Sequence, residues 1–318
     1  MKKLVAFLLT AVLCLSLGAA AFAAEEPVNV MVLNGTTGFG MAKLMSDASA
    51  DEAAQDYAFT VETDASNVTA ALISGDADIA ALPTNAAATL YNKTEGGVRM
   101  LAINTLGVLY VVANTETTEI ESLEDLNGMT VYAPAQNPTF IFQAIADAAE
   151  LDVTVDNTYA QPADLRTAIA AGEIDVAVLP EPMVTIACAG NEALAPVIDL
   201  TAAWDEQIEE GTLVQGCVVA RTEFVEEHPE AVAAFLEEYA ASIEFLTEDP
   251  EAASQMIEDN GIFQQAAVAQ KAIPHCNVCF LDGEEMQAAM TRFCEILAEI
   301  EPASIGGAVP AEDFFYLG

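Results

Sequence analysis

Basic residues are scarce in this chain. Nine Lys and Arg stand against 50 Asp and Glu in 318 residues, a formal charge of −41. Nucleic-acid backbones are held by clustered Lys and Arg, and a surface this negative repels phosphate and anionic lipid, so nucleic-acid binding is excluded as a function class. Histidine is equally sparse, with only His228 and His275. That leaves too few general bases to assemble a Ser-His-Asp set, and too few ligands for a structural zinc site built from two spaced pairs. Long apolar runs are missing as well. Past residue 23 no segment has the length and apolarity needed to cross a bilayer.

What is present points to a folded, exported body. Hydrophobic residues make up 53% of the chain, and the acids are scattered among them, which excludes disorder. The acidity fits either attraction of a cationic ligand or a solvated face suited to an acidic or saline habitat. Lys2-Lys3, the apolar run from Leu4 to Leu17 and the small-x-small site Ala21-Phe22-Ala23 read as a secretory signal peptide spanning residues 1–23. The run is short for a retained anchor, and Leu13 before Cys14 argues against lipid attachment there. Removing Lys2 and Lys3 leaves seven basic residues against 50 acidic ones, a formal charge of −43. The remainder is long enough for two domains or one two-lobed body. It keeps five cysteines, Cys188, Cys217, Cys276, Cys279 and Cys294. The odd number and the run His275-Cys276-Asn277-Val278-Cys279 allow buried small hydrophobes or a local disulfide, with a metal or redox role as the alternative.

One phrase occurs twice. Leu72-Ile73-Ser74-Gly75-Asp76-Ala77-Asp78-Ile79-Ala80-Ala81-Leu82-Pro83 returns as Ile169-Ala170-Ala171-Gly172-Glu173-Ile174-Asp175-Val176-Ala177-Val178-Leu179-Pro180. Each copy reads as a helix, a glycine stop, and a strand too apolar to face water on either side. Such strands belong to parallel sheets covered by helices, and ligands of open α/β sheets bind beyond the carboxyl ends of the strands. The segments after Pro83 and Pro180 are therefore the first candidates for a site, and two copies imply two similar lobes.

The order strand, polar loop, helix recurs along the chain. Val28 to Leu33 leads into Asn34-Gly35-Thr36-Thr37-Gly38-Phe39-Gly40 and a helix from Met41. Met129 to Ala133 leads into Pro134-Ala135-Gln136-Asn137-Pro138-Thr139 and a helix from Phe140. Such loops offer free backbone N–H groups at helix starts. The glycine spacing is too loose for a P-loop and no Lys follows. From Leu213 to Ala220 runs a further strand, and everything beyond it is expected to be helical. Lobe 1 is then 24–106 plus 222–318 and lobe 2 is 107–221, joined by two crossings, near Gly107 and near Ala220, that form a hinge. Phe314-Phe315-Tyr316 reads as packing over the core.

Taken together, these residues resemble the solute-binding proteins of ABC importers of the nitrate, sulfonate and taurine type, with the type II periplasmic binding fold. The carriers are Asn34-Gly35-Thr36-Thr37-Gly38, Gly75-Asp76-Ala77-Asp78-Ile79-Ala80, Leu123-Glu124-Asp125-Leu126-Asn127-Gly128 leading into Met129-Thr130-Val131, and Gly172-Glu173-Ile174-Asp175-Val176-Ala177. The resemblance implies an α/β, two-lobed protein with a helical C-terminal return that holds a small-molecule solute between its lobes and passes it to a permease. It implies no cofactor and no catalysis. By position in the loops it nominates Thr36, Thr37, Gly38, Thr84, Asn85, Gln136, Asn137, Thr139, Glu181 and Met183 as ligand-binding residues. None of these loops contains Arg, which argues against a strongly anionic ligand held by side chains, although helix-start N–H groups can hold a sulfonate or nitrate. Glu181 in the cleft would favour a cationic or donor-bearing ligand, or would serve only to complement a helix start.

Enzymes of related fold fit poorly. Porphobilinogen deaminase needs an Arg cluster, whereas this chain has Arg99, Arg166, Arg221 and Arg292 alone, and synthesis of a thiamine pyrimidine needs histidines that the cleft loops lack. A sensor that reports to a membrane receptor and a thiamine-pyrimidine-type binding protein remain the alternatives to an importer subunit. The expected setting is the periplasm or cell exterior, with the protein a monomer.

Overall fold

Both copies of the repeated phrase fold alike in a computed structural model that describes residues 26–208 and 211–318. The predicted signal peptide and Cys14 lie outside the described residues. In the first copy, helix α3 (Ala65–Ser74) ends at Gly75, which takes the left-handed conformation with φ 82°. A side chain there would be strained, and glycine closes the helix without cost. Strand β3 (Ile79–Pro83) follows and is buried along almost its full length. In the second copy, α6 (Pro162–Ala170) gives way at Gly172, φ 72°, to β8 (Val176–Pro180), buried in the same pattern. Neither strand alternates in burial, because helices cover both faces of each sheet.

These two strands sit inside two separate sheets. The first also contains β1 (Val28–Leu33), β2 (Tyr57–Glu62), β4 (Val98–Leu106), β10 (Val214–Arg221) and β11 (Val278–Leu281), in the order β11-β4-β10-β3-β1-β2. The second contains β5 (Leu109–Asn114), β6 (Thr130–Tyr132), β7 (Thr154–Asp156) and β9 (Leu194–Asp199), in the order β7-β6-β8-β5-β9. β1 runs parallel to β2 and β3, and β6 parallel to β7 and β8, whereas β10 is antiparallel to β3 and β5 antiparallel to β8. The mixed α/β class and the paired architecture expected from the sequence are thus both present.

Three expectations need correction. Val214–Arg221 does not belong with the second sheet. It pairs antiparallel with β3 and β4 in the first, so the chain is already in the first sheet at Val214, ahead of the crossing expected near Ala220. The reason is its partners: two buried apolar strands flank an apolar run of the same kind, and antiparallel pairing needs no crossover helix. The return is also not wholly helical, since β11 closes the edge of the first sheet against β4. Its strand signal is short, four half-buried residues behind the His275-Cys276 turn. Third, Thr36–Phe39 is one helical turn, α1, directly after β1, and α2 (Ala42–Ser49) follows it. The serine-capped turn predicted at residues 122–128 is there: Leu123–Leu126 is 3₁₀, with a capping box between Ser122 and Asp125. The five cysteines are free thiols, buried or half-buried, in keeping with the hydrophobic alternative. Phe314 and Phe315 are buried in the core, and Tyr316 N donates to Met100 O at 2.9 Å.

The two sheets share one apolar core on one side of the molecule. Helix α13 (Gly283–Ile300) carries Met286, Met290, Phe293 and Leu297 at helical spacing, all fully buried. That stripe packs against α5 (Asn137–Ala148) of the second sheet and against α4 (Thr84–Lys93) of the first. Trp204 on α8 (Leu200–Gln207) meets Phe293 with ring centroids 5.8 Å apart, and its indole N–H donates to Gly211 O at 2.9 Å. We expect Phe293→Ala to cost about 3–5 kcal/mol, measured as a fall in the urea midpoint with unchanged slope. A loss below about 1 kcal/mol would show that the seam is not part of the cooperative core.

Candidate functional site

The carboxyl ends of β1 and β3 adjoin in the first sheet, and those of β6 and β8 adjoin in the second. Each of these four strands runs into a helix: α1, α4, α5, and α7 (Met183–Gly190). Four strand-to-helix segments therefore lie on two edges, and hydrogen bonds join the edges. Thr36 Oγ1 donates to the backbone oxygen of Glu181 at 2.8 Å, a fully buried bond. Nearby, Tyr110 Oη donates to His275 O at 3.2 Å.

The passage between the sheets forms the floor beneath these segments. Leu106 N donates to Asn277 O at 3.0 Å, Asn277 Nδ2 to Gly107 O at 2.6 Å, Val108 N to Gln215 Oε1 at 2.7 Å, and Glu181 N to Val108 O at 2.9 Å. Gly107 has no room for a side chain, because a Cβ would fall 2.0 Å from Thr201 Oγ1. Only glycine lets the crossing strand pass under α8.

The nominated residues take several roles here. Thr36 is buried in the bond to Glu181, and Thr37 is half-buried beside it. Gly38 packs so closely on β1 that a Cβ would lie 2.3 Å from Leu33 O. Thr84 is fully buried, its hydroxyl donating to Val214 O at 2.8 Å and tying the start of α4 to β10. Asn85 is buried next to it in the first turn of α4. In the second sheet Gln136 is exposed and adopts φ 68°, a region that a non-glycine residue enters only under constraint. Asn137 opens α5, is 8% exposed, and its buried Oδ1 has no hydrogen-bond partner. Thr139 is engaged in the loop itself, donating to Pro134 O at 2.7 Å and accepting from Asn157 Nδ2 at 2.7 Å. Met183 is half-buried against the apolar cluster around Leu179 and Val184. The structure thus brings the Thr36 and Glu181 segments into direct contact and sets the Asn85 and Asn137 segments on the neighbouring strand ends.

Asn104 is a residue that sequence reasoning passed over. From β4 its Nδ2 donates to Thr37 O at 3.0 Å and to Tyr239 Oη at 2.9 Å, while Oδ1 accepts from Thr105 Oγ1 at 3.0 Å. It is 1% exposed and fixes the Thr36-Thr37 turn to the sheet. A buried Asn inside an otherwise apolar strand run, Met100-Leu101-Ala102-Ile103-Asn104, was the available signal.

Glu181 dominates the electrostatics. It is 5% exposed, sits before a cis bond to Pro182, and its carboxylate accepts from Thr185 N at 3.1 Å and Thr185 Oγ1 at 3.0 Å. Burial raises its pKa, opposed by the Thr185 bonds and by the charge of His275. Its charge in turn helps to raise the pKa of the Cys276 thiol, the Tyr110 phenol and the Cys188 thiol, after the larger effect of burial on each. None of the loops carries Lys or Arg. Among the described residues no group of three or more His, Cys, Asp or Glu is placed to hold a metal. A cavity of about 470 Å³ lies away from these segments, at the opposite end of the first sheet, between Leu72, Ile73, Val98 and the Arg221-Glu223 pair.

Two sheets whose strand ends face each other across a doubly crossed floor define the periplasmic binding protein fold, and solved structures share it. A protein from Parabacteroides distasonis described as an ABC transporter superposes with a TM-score of 0.79 at 24% identity, over 92% of this chain and 99% of that one. The periplasmic aliphatic sulphonate binding protein SsuA of Escherichia coli gives 0.72 at 13% identity, over 92% of each chain. The alkanesulfonate-binding protein SsuA of Xanthomonas axonopodis pv. citri, solved bound to MOPS, gives 0.63 at 13% identity over 92% of this chain and 98% of that one. The family model described as NMT1/THI5 like matches residues 52–253, and the chain belongs to that family. No curated protein matches it.

A carboxyl whose pKa is higher folded than unfolded stabilises the fold at low pH. That contribution is lost as pH rises from the ordinary carboxylate range through the raised value. We expect Glu181→Gln to remove this decline, so that its stability relative to wild type improves on going from about pH 4 to pH 8. Parallel curves in denaturant titrations at each pH would show that Glu181 titrates normally.

Proposed function

We propose that this protein is the extracytoplasmic solute-binding subunit of an ABC import system, capturing a small polar organic or sulfonate- or nitrate-like solute between two lobes. The observation that carries the reading is the meeting of strand ends from both sheets, joined by the Thr36–Glu181 bond above the Gly107 crossing. The NMT1/THI5-like family and the likeness to sulfonate-binding proteins support it. Among the described residues no helix is long and apolar enough to cross a membrane, which accords with a body that works beside its permease.

On this reading residues 1–23 are the export signal. The lobes are 24–106 with 214–318, and 107–213, a division that follows the strand pairing. The protein acts as a monomer, takes no cofactor and catalyses no reaction. Binding energy comes from hydrogen bonds and burial when the lobes close. Of the ten nominated residues, Thr37 and Asn85 face the solute directly, whereas Thr84 and Thr139 hold their loops.

Screening the mature protein by thermal shift against sulfonates, nitrate, taurine, aminopyrimidines, polyamines and amino acids is expected to give a stoichiometric hit, confirmed by calorimetry. Trp204, the single tryptophan, lies in the seam between the halves and should change its fluorescence on binding. Thr37→Ala and Asn85→Ala should each weaken the hit by about tenfold, the worth of one or two hydrogen bonds, with unfolding unchanged within about 1 kcal/mol. Unaltered affinity in both variants would move the site elsewhere.

A further inference from the structure

We infer that the solute presents a cationic nitrogen, a protonated amine or an amidinium, to Glu181 and Asn137. This inference rests on the proposed solute-binding role and names the chemistry of that same site.

The first argument is an imbalance of acceptors over donors. The Glu181 carboxylate is buried, and the bonds it accepts come from Thr185 alone. Asn137 Oδ1 is buried with no donor at all. The two residues follow adjacent parallel strands, β8 and β6, so their segments lie at one edge. A buried carboxylate and a buried amide oxygen both demand donors, and the carboxylate also demands positive charge. Unmet demands of this kind gather where a ligand supplies the missing partner.

The second argument is where the protein's own cations are. Lys43 pairs with Asp47, Arg99 with Asp313, Arg221 with Asp78 and Glu223, and Arg292 with Glu295, and these cations, like Lys93, Arg166 and Lys271, all stand outside the four loops. The basic group that acts on Glu181 is His275, whose side chain belongs to an exposed residue. None of the four loops supplies a Lys or Arg, so the charge on Glu181 is left for the solute to meet. An oxyanion would place a second negative charge beside Glu181. It would also find the first turn of α7 already occupied, because Glu181 itself accepts from Thr185 N there.

The long-range field acts in the same direction. A formal charge of −43 without the leader draws cations toward the protein and slows anions.

The test is calorimetry on the full mature chain. Its probes are monoamines, 1,4-diaminobutane, benzamidine and 4-aminopyrimidine on one side, and ethanesulfonate, methanesulfonate and nitrate on the other. The expected result is stoichiometric binding of a nitrogen probe, and at least tenfold weaker binding in Glu181→Gln. His275→Ala should keep the affinity. Stoichiometric binding of ethanesulfonate or nitrate that Glu181→Gln leaves unchanged or tightens would overturn the inference and leave the solute-binding reading standing. Binding of a nitrogen probe that Glu181→Gln does not weaken would also overturn it. If neither class binds, the solute-binding reading fails and this inference with it.

Discussion

Among the described glycines, Gly107 has the least room for a side chain. The chain leaves the first sheet there, beneath Thr201, with space for a hydrogen and nothing larger. Around that point Asn277, Gln215 and Glu181 each attach to the backbone of residues 106–108. Three segments remote in sequence therefore share one short stretch of main chain. Because Glu181 donates its N–H to Val108 and accepts the Thr36 hydroxyl on its carbonyl, the floor of the cleft and the first binding segment are held by the same residue. A displacement of the crossing strand would move both, which couples the relative position of the sheets to the geometry of the candidate site.

Freedom around that crossing is limited by the apolar seam. α13 lies across both halves, and its buried stripe of Met286, Met290, Phe293 and Leu297 meets α5 and, through Trp204, α8. Close-packed interiors resist sliding, so this seam holds the two sheets together on its side of the molecule. α5 links the two regions. Its buried body belongs to the seam, while Asn137 at its first position belongs to the cleft edge. Reorientation of α5 at one end is felt at the other through a rigid helix.

The sequence revealed most where one residue type has one physical use. Gly75 and Gly172 could only be helix stops, and the unbroken runs at Ile79 and Val176 could only be strands covered on both faces. The repeated phrase consequently located β3, β8 and the helices behind them. Pairing was less legible. Val214–Arg221 is an apolar run with no internal mark of which sheet receives it, and only the two neighbours in space decide. The edge strand β11 is half-buried and short, and β9 is mostly half-buried or exposed, so their patterns resemble loops. Loop positions after β1, β3, β6 and β8 followed from the strand-to-helix order. Which side chains in them turn inward did not, since Thr84 and Thr139 spend their hydroxyls on backbone carbonyls and Asn104 acts from the middle of a strand's apolar run.

The acidic composition and the candidate site share a chemical logic at two distances. On the surface, scattered carboxylates are solvated and individually cheap. At the junction of the lobes one carboxylate, Glu181, is withdrawn from water, and its partners are the hydroxyl and N–H of a single threonine. Thr185 provides dipoles without a compensating charge. The fold accepts that cost at a position whose main chain is fixed from both sides, by Val108 and by Thr36. A strained residue, Gln136, and an unpartnered oxygen, Asn137 Oδ1, adjoin it on the next strand end. Packing alone would favour apolar side chains at every one of these places. Their concentration on one edge is what marks that edge as the candidate site.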